Sequence, residues 1–230
     1  MKITTAVFLP LLAVLGTAHA EAATIAAVQS ANGPSYTWRL FIGSNQSATT
    51  GWSFQVGAQN LQLEALGLFD LGGDGLDDSH PIGLWNSSGS LLSQVDLPSG
   101  TGGTLVGNYR YAPVTPITLT AGQIYYLGAY FGPVADLCTT ACGDAQLALS
   151  TQVYAPGITY LASRQTQSVG GAGSLAFPNL DATVGEGIFG PNALFTAAEP
   201  EPVPEPASLG LVALGIGACL ARHARRRSNS

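Results

Sequence analysis

The chain has 230 residues, of which 46% are hydrophobic and only 10% charged, with a formal net charge of −6 at pH 7. So many aliphatic and aromatic side chains exclude a disordered chain. From Glu21 to Ala198 there are eleven acids against three arginines (Arg39, Arg110 and Arg164) and no lysine; this stretch lacks the basic patch that nucleic-acid or anionic-membrane binding requires.

Residues 1–20 read as a secretory signal peptide. Lys2 supplies the positive start, Ile3 to Leu15 is almost wholly apolar, and Ala18-His19-Ala20 fits the small-x-small cleavage site. Signal peptidase and a secretion machinery are the partners this implies. A retained transmembrane helix fits the short run less well. No cysteine follows it, which argues against a lipoprotein anchor.

The stretch 21–198 suits one domain in length. Its periodicity is that of strands. Tyr36, Trp38 and Leu40 alternate with Thr37 and Arg39; Trp52, Phe54 and Val56 alternate with Ser53 and Gln55. Leu61, Leu63 and Ala65 alternate with Gln62 and Glu64. Leu105, Tyr109 and Tyr111 are placed on one face, against Asn108 and Arg110 on the other. Further strands are predicted at 82–85, 91–97, 117–119, 123–131 and 146–151. Gly, Pro, Asn and Asp clusters separate them at short intervals, which predicts an all-β fold, a single antiparallel β-sandwich of jelly-roll type.

Between the 61–65 and 82–85 strands, Asp70, Asp74, Asp77 and Asp78 crowd a Gly-rich loop. Carboxylates and loop carbonyls suit a hard cation, so these four are candidate ligands of a structural Ca²⁺, although the spacing is not that of an EF-hand. Asp and Gly are also what turns require, and both readings stay open. His80 is the one histidine between the two ends. A Ser-His-Asp triad would need it as base, but no Gly-x-Ser-x-Gly elbow accompanies it, and a surface or loop-packing histidine before Pro81 is the favoured reading. A carboxylate pair for glycoside hydrolysis depends on a separation that only three dimensions give. Trp38, Trp52, Trp85 and the tyrosines could stack on sugars, yet their alternating positions assign most of them to the core. The threonines are too few and irregular for an ice-binding array.

Cys138 and Cys142 lie four apart in a polar loop, and export makes a disulfide between them the natural reading. Zinc would need more nitrogen and sulfur ligands than this part of the chain offers.

Glu199 to Pro206 is an acidic, proline-rich spacer; its prolines fix φ and bias each preceding residue toward extended backbone. After Pro206 every residue to Ala221 is uncharged. As a helix the run 207–221 is roughly 22 Å long, short of the ~30 Å hydrocarbon core. Arg222, Arg225, Arg226 and Arg227 follow, placed to reach headgroups on the cytoplasmic side. The order Val203-Pro204-Glu205-Pro206, apolar run, arginines over 203–230 resembles the PEP-CTERM sorting signal of exported Gram-negative proteins. The resemblance implies that a membrane protease, exosortase, cuts near the Pro-Glu-Pro motif, so that the tail anchors the chain only transiently. The same tail is sometimes labelled an ice-binding protein C-terminus, a label for the tail alone.

The stretch Gly51 to Tyr130 also resembles a β-sandwich domain, without assigned activity, that recurs in PEP-CTERM proteins. It carries Gly51-Trp52-Ser53-Phe54-Gln55-Val56, Leu66-Gly67-Leu68-Phe69-Asp70, Ser79-His80-Pro81-Ile82-Gly83-Leu84-Trp85 and Leu119-Thr120-Ala121-Gly122-Gln123-Ile124-Tyr125-Tyr126. The expectation is a non-enzymatic, exported, surface-associated protein, held first at the inner membrane by its C-terminus and then released to the cell surface, that belongs to or binds the extracellular polysaccharide matrix. A carbohydrate-binding module and a secreted hydrolase are the alternatives. Exposed aromatics on one sheet face would favour the first; a cleft with paired carboxylates or a base at His80 would favour the second.

Overall fold

The computed structural model describes residues 23–31, 36–37, 46–132, 147–148, 152–167, 169–182, 187 and 189–198. The chain divides into two compact units, 1–197 and 198–230. The first unit is all-β. Its strands are β1 Ile25–Ala26, β2 Val28–Ala31, β3 Tyr36–Thr37, β4 Gln46–Val56, β5 Leu61–Phe69, β6 His80–Asn86, β7 Leu91–Leu97 and β8 Thr104–Val106. They continue with β9 Tyr109–Leu119, β10 Ile124–Phe131, β11 Leu147–Ala148, β12 Gln152–Tyr154, β13 Ile158–Gln165, β14 Val169–Gly170, β15 Leu180–Asp181 and β16 Pro191–Ala197.

Two antiparallel sheets dominate. The first runs β1-β16-β5-β9-β8; the second runs β15-β13-β4-β10-β6-β7, with β14 also on β4. Two small pairs, β3 with β11 and β2 with β12, complete the described strands. Trp52, Phe54, Leu84 and Leu127 of the second sheet share one core cluster with Leu63, Leu66, Leu68 and Phe195 of the first. Alternation explains who enters it: Trp52, Leu127 and Leu84 are cross-strand neighbours on β4, β10 and β6. Trp52 is fully buried, and its indole N–H donates to the Pro191 carbonyl at 2.9 Å, so burial leaves no orphaned donor.

The face of the second sheet turned away from this core carries a transverse row of glycines. Gly51, Gly128 and Gly83 stand side by side on β4, β10 and β6. Residues 171–179, which have no regular structure, cross this row as a strap. A side chain on Gly83 would meet Leu175, and one on Gly128 would meet Pro178. Phe177 packs edge-on against Tyr126 at 4.9 Å between ring centres and lies 6.3 Å from Trp85. The strap's backbone is tied down where Gly173 N–H donates to Tyr130 Oη (2.8 Å) and Ala176 N–H to Thr49 Oγ1 (2.9 Å). The strap explains why Thr49 and Ser53, on the polar phase of β4, are as buried as the core phase.

Two sequence expectations about faces are corrected. Ala65 does not follow Leu61 and Leu63. Glu64 is an extra residue of β5 opposite β16, a bulge that flips the phase, so that Leu66 and Leu68 take the main core. Ala65 instead joins Phe69, Tyr109 and Tyr111 on the other face of the first sheet. Leu105 does not share a face with Tyr109 and Tyr111. A turn with Gly107 at φ 62° separates β8 from β9, and Leu105 pairs with Arg110. Of the predicted strand 146–151 the described residues are 147 and 148, and they form β11.

Burial sets the chemistry of the tyrosines. It pushes the Tyr109 and Tyr111 phenols well above their ordinary range, and the Tyr109 hydroxyl donates to the Phe189 carbonyl at 2.9 Å. Tyr154 stacks on Tyr160 (6.0 Å, 8° between planes), and burial, with the Tyr160 phenol second, pushes it up to about 12. The folded Tyr154 therefore keeps its proton where the unfolded chain, at the ordinary 10.0, has lost it. The stability that this group contributes is complete below pH 10 and is lost as pH rises through about 12. Urea unfolding repeated across that window is expected to show the decline, with tyrosinate absorbance lagging behind that of the unfolded chain.

Candidate functional site

Strand β5 delivers Asp70 to the mouth of the core. Leu66, Leu68 and Asp70 share one phase, and Arg110 stands across from Leu68 on β9, so the acid and the base arrive on the same inner face. Asp70 is fully buried and Arg110 4% exposed. The Arg110 Nε lies 2.5 Å from Asp70 Oδ2, an ion contact without a well-aligned hydrogen bond. The other two guanidinium nitrogens are aligned: Nη1 donates to the Gly103 carbonyl at 3.2 Å and Nη2 to the Gly73 carbonyl at 2.8 Å. Asp70 also accepts from the Gly75 N–H, at 3.2 and 3.3 Å to its two oxygens. One arginine thus clamps the 70–75 loop and the 98–103 loop to the end of β9. Glycine is needed in the first of these: Gly72 and Gly73 adopt φ 88° and 73°, which other residues resist.

The four aspartates are not brought together. Asp70 turns inward onto Arg110, whereas Asp74 and Asp77 are exposed and Asp78 half-exposed. Among the described residues no three His, Cys, Asp or Glu side chains form a group that could hold a metal ion. The positive charge beside Asp70 is that of Arg110. The parity of Asp70 with Leu66 and Leu68 is the signal in the sequence, and the Asp-Gly composition of the loop obscures it.

His80 is 1% exposed. Its Nδ1–H donates to the Tyr130 carbonyl at 3.0 Å, and its ring lies 5.0 Å from that of Phe131. A general base must reach the proton that it takes, and this imidazole is packed inside the body. Trp52 and Trp85 are likewise buried, Trp85 beneath the strap, so neither offers a face to a sugar. Arg164 stays near the surface, where it pairs with Asp181 (2.5 Å) and lies over the Tyr126 ring (4.9 Å).

Several predicted sites lie outside the described residues: Ala18 and Ala20 of the signal cleavage site, Trp38, Cys138 and Cys142, and the whole tail with Val203, Pro204, Glu205, Pro206, Arg222, Arg225, Arg226 and Arg227. Among the described residues no helix is long and apolar enough to cross a membrane. The tail is identified by comparison instead. Residues 202–227 match the family model of the PEP-CTERM protein-sorting motif, which covers the Pro-Glu-Pro corner, the apolar run and the arginines. No curated protein and no solved structure matches the chain.

Proposed function

We propose that this is an exported protein, sorted through its C-terminal tail, whose body is a single antiparallel β-sandwich that acts at the cell surface without catalysing a reaction. The observation that carries the proposal is the sorting-motif match at 202–227. Signal peptidase acts first, after Ala20. Exosortase then recognises the Pro204-Glu205-Pro206 corner while the 207–221 helix holds the chain at the membrane and Arg222 to Arg227 stay on the cytoplasmic side. Mass spectrometry of the surface protein is expected to show a chain that ends near the Pro-Glu-Pro corner. Changing Pro204, Glu205 and Pro206 together to alanine is expected to leave the protein in the membrane fraction. An intact arginine-rich end on released protein would overturn the reading.

Two features of the body support a binding or structural role over a hydrolytic one. Its histidine is packed inside, and its buried acid is paired with an arginine. The body is therefore read as a component or binder of the extracellular polysaccharide matrix. Cys138 and Cys142 are proposed to pair after export, and thiol titration of the native protein checks this. The short loop that they close makes the contribution to stability small, under the ~3 kcal/mol of a fifteen-residue loop.

A further inference from the structure

At one end of the two main sheets, the turn between β6 and β7 and the turn between β9 and β10 face each other across a cleft of about 310 Å³. Its size is at the lower end of the ~300–1,000 Å³ range of ligand pockets, enough for a chain end or a single sugar unit. Asn86, Ser87, Thr118 and Gln123 supply its polar lining, and Leu92 and Tyr125 its apolar walls. None of its lining side chains is charged.

Both turns are fixed in advance. Asn86 Oδ1 accepts from the N–H of Ser88 (3.1 Å), the N–H of Ser90 (3.0 Å) and the hydroxyl of Ser88 (2.7 Å). Opposite, Thr120 N–H donates to Tyr125 Oη and Ala121 N–H to Asn60 Oδ1, both at 2.8 Å, while Gln55 Nε2 donates to the Gly122 carbonyl at 2.9 Å. A cleft whose walls are already ordered binds with little further entropy loss. Asn86 Oδ1 and the Ser88 and Tyr125 hydroxyls of the lining are spent on this scaffolding, and other polar groups of the lining are left over. Among the described residues, the Asn86 Nδ2, the Ser87 and Thr118 hydroxyls and the Gln123 side-chain amide make no hydrogen bond.

We infer that this cleft binds a neutral hexose unit of a polysaccharide. Amides and hydroxyls both donate and accept, as each hydroxyl of a sugar does. Leu92, 38% exposed, offers apolar surface to the C–H face of the ring, while Tyr125, 6% exposed, only floors the cleft. An anionic ligand would need a cation, and the two described arginines are engaged elsewhere, one buried on Asp70 and one paired with Asp181. The acid excess of the body repels polyanions as well. The inference rests on the matrix-binder reading and names its ligand class and its place.

The test uses the mature protein recovered from cells. It is titrated calorimetrically with maltohexaose, cellohexaose, laminarihexaose and mannohexaose, and with polygalacturonate as the anionic probe, and it is sedimented with the producing cell's own extracellular polysaccharide. Gln123→Ala and Thr118→Ala alter exposed rim residues, and their melting temperatures report on folding. At least one neutral oligosaccharide is expected to bind with little dependence on salt. Each variant is expected to weaken that binding about tenfold at unchanged melting temperature, the size of one lost hydrogen bond. Neutral binding or co-sedimentation that both variants leave intact overturns the cleft and leaves the matrix reading standing. Binding confined to polygalacturonate overturns the neutral class. Failure of the wild type both to bind any probe and to co-sediment overturns the cleft and the matrix reading together.

Discussion

Replacing Asp70 by alanine is expected to destabilise the body by about 3–5 kcal/mol, because it leaves a buried guanidinium without its counter-charge. That is a large share of the ~5–15 kcal/mol by which a domain is stable. Arg110→Ala is expected to cost a similar amount, since it orphans the buried carboxylate and releases the carbonyls of Gly73 and Gly103. The double change Asp70→Leu with Arg110→Met removes both charges together and is expected to recover most of the loss, as apolar replacements of buried pairs do. Asp74→Ala, at an exposed position of the same loop, is expected to stay within ~0.5 kcal/mol. Urea unfolding of the four proteins distinguishes these outcomes. The same samples address calcium. An ion held by this loop would add ~2.7 kcal/mol at a hundred times its dissociation constant. With Asp70 committed to Arg110, the melting curves in calcium and in EDTA are expected to coincide. A rise in calcium that Asp74→Ala abolishes would restore the ion-binding reading.

The second large effect is expected at Gly51. A Cβ there would fall inside the radius of the Leu127 carbonyl oxygen and 2.8 Å from the Gly128 Cα, so the obstacle is backbone and cannot swing away. Overpacking costs typically ~1–3 kcal/mol, and an immovable neighbour puts Gly51→Ala at or above the top of that range. Gly128→Ala meets the Thr49 methyl at 2.8 Å and Pro178 at 3.3 Å, and its cost is expected to appear as a loosened strap, with faster proteolysis within 171–179. Gly170→Ala, where nothing lies within 4 Å, serves as the neutral comparison. Equal stability of Gly51→Ala and Gly170→Ala would contradict the glycine row.

Much of the sheet structure is legible in the sequence because apolar alternation is a local property. The predicted strand 91–97 matches β7, and 123–131 misses the start of β10 by one residue. Strand β9 reads as two pieces because Pro113 and Pro116 interrupt it. It continues because Pro116 falls among residues 114–116, which have no partner on β5. Strand β13 is hidden because its pattern is weakly apolar and a register shift breaks it between Tyr160 and Ala162. Strand β16 is hidden because it opens with Pro191 and Asn192, both typical of turns. Asn192 is instead buried, and its side chain bonds both the N–H and the carbonyl of Val28 at 3.0 Å. The candidate sites are less legible, since pairing across distant strands decides them. Composition groups Asp70 with its loop neighbours, while its partner Arg110 lies forty residues on, and the 86–123 cleft joins two turns that no local motif connects.

Strand β16 is the last strand among the described residues, yet it lies between β1 and β5 and pairs with both. For a chain that crosses a membrane N-terminus first, this fixes an order of assembly. Strands β1 and β5 emerge with a gap between them, and the sheet closes only once residues 191–197 have followed. At that moment the part still behind is the sorting tail. Closure of this sheet therefore comes late in the passage of such a chain. The same placement governs how the anchored body bears tension. A force applied along β16 shears two hydrogen-bonded ladders at once, whereas an edge strand pulled along its length would part from only one.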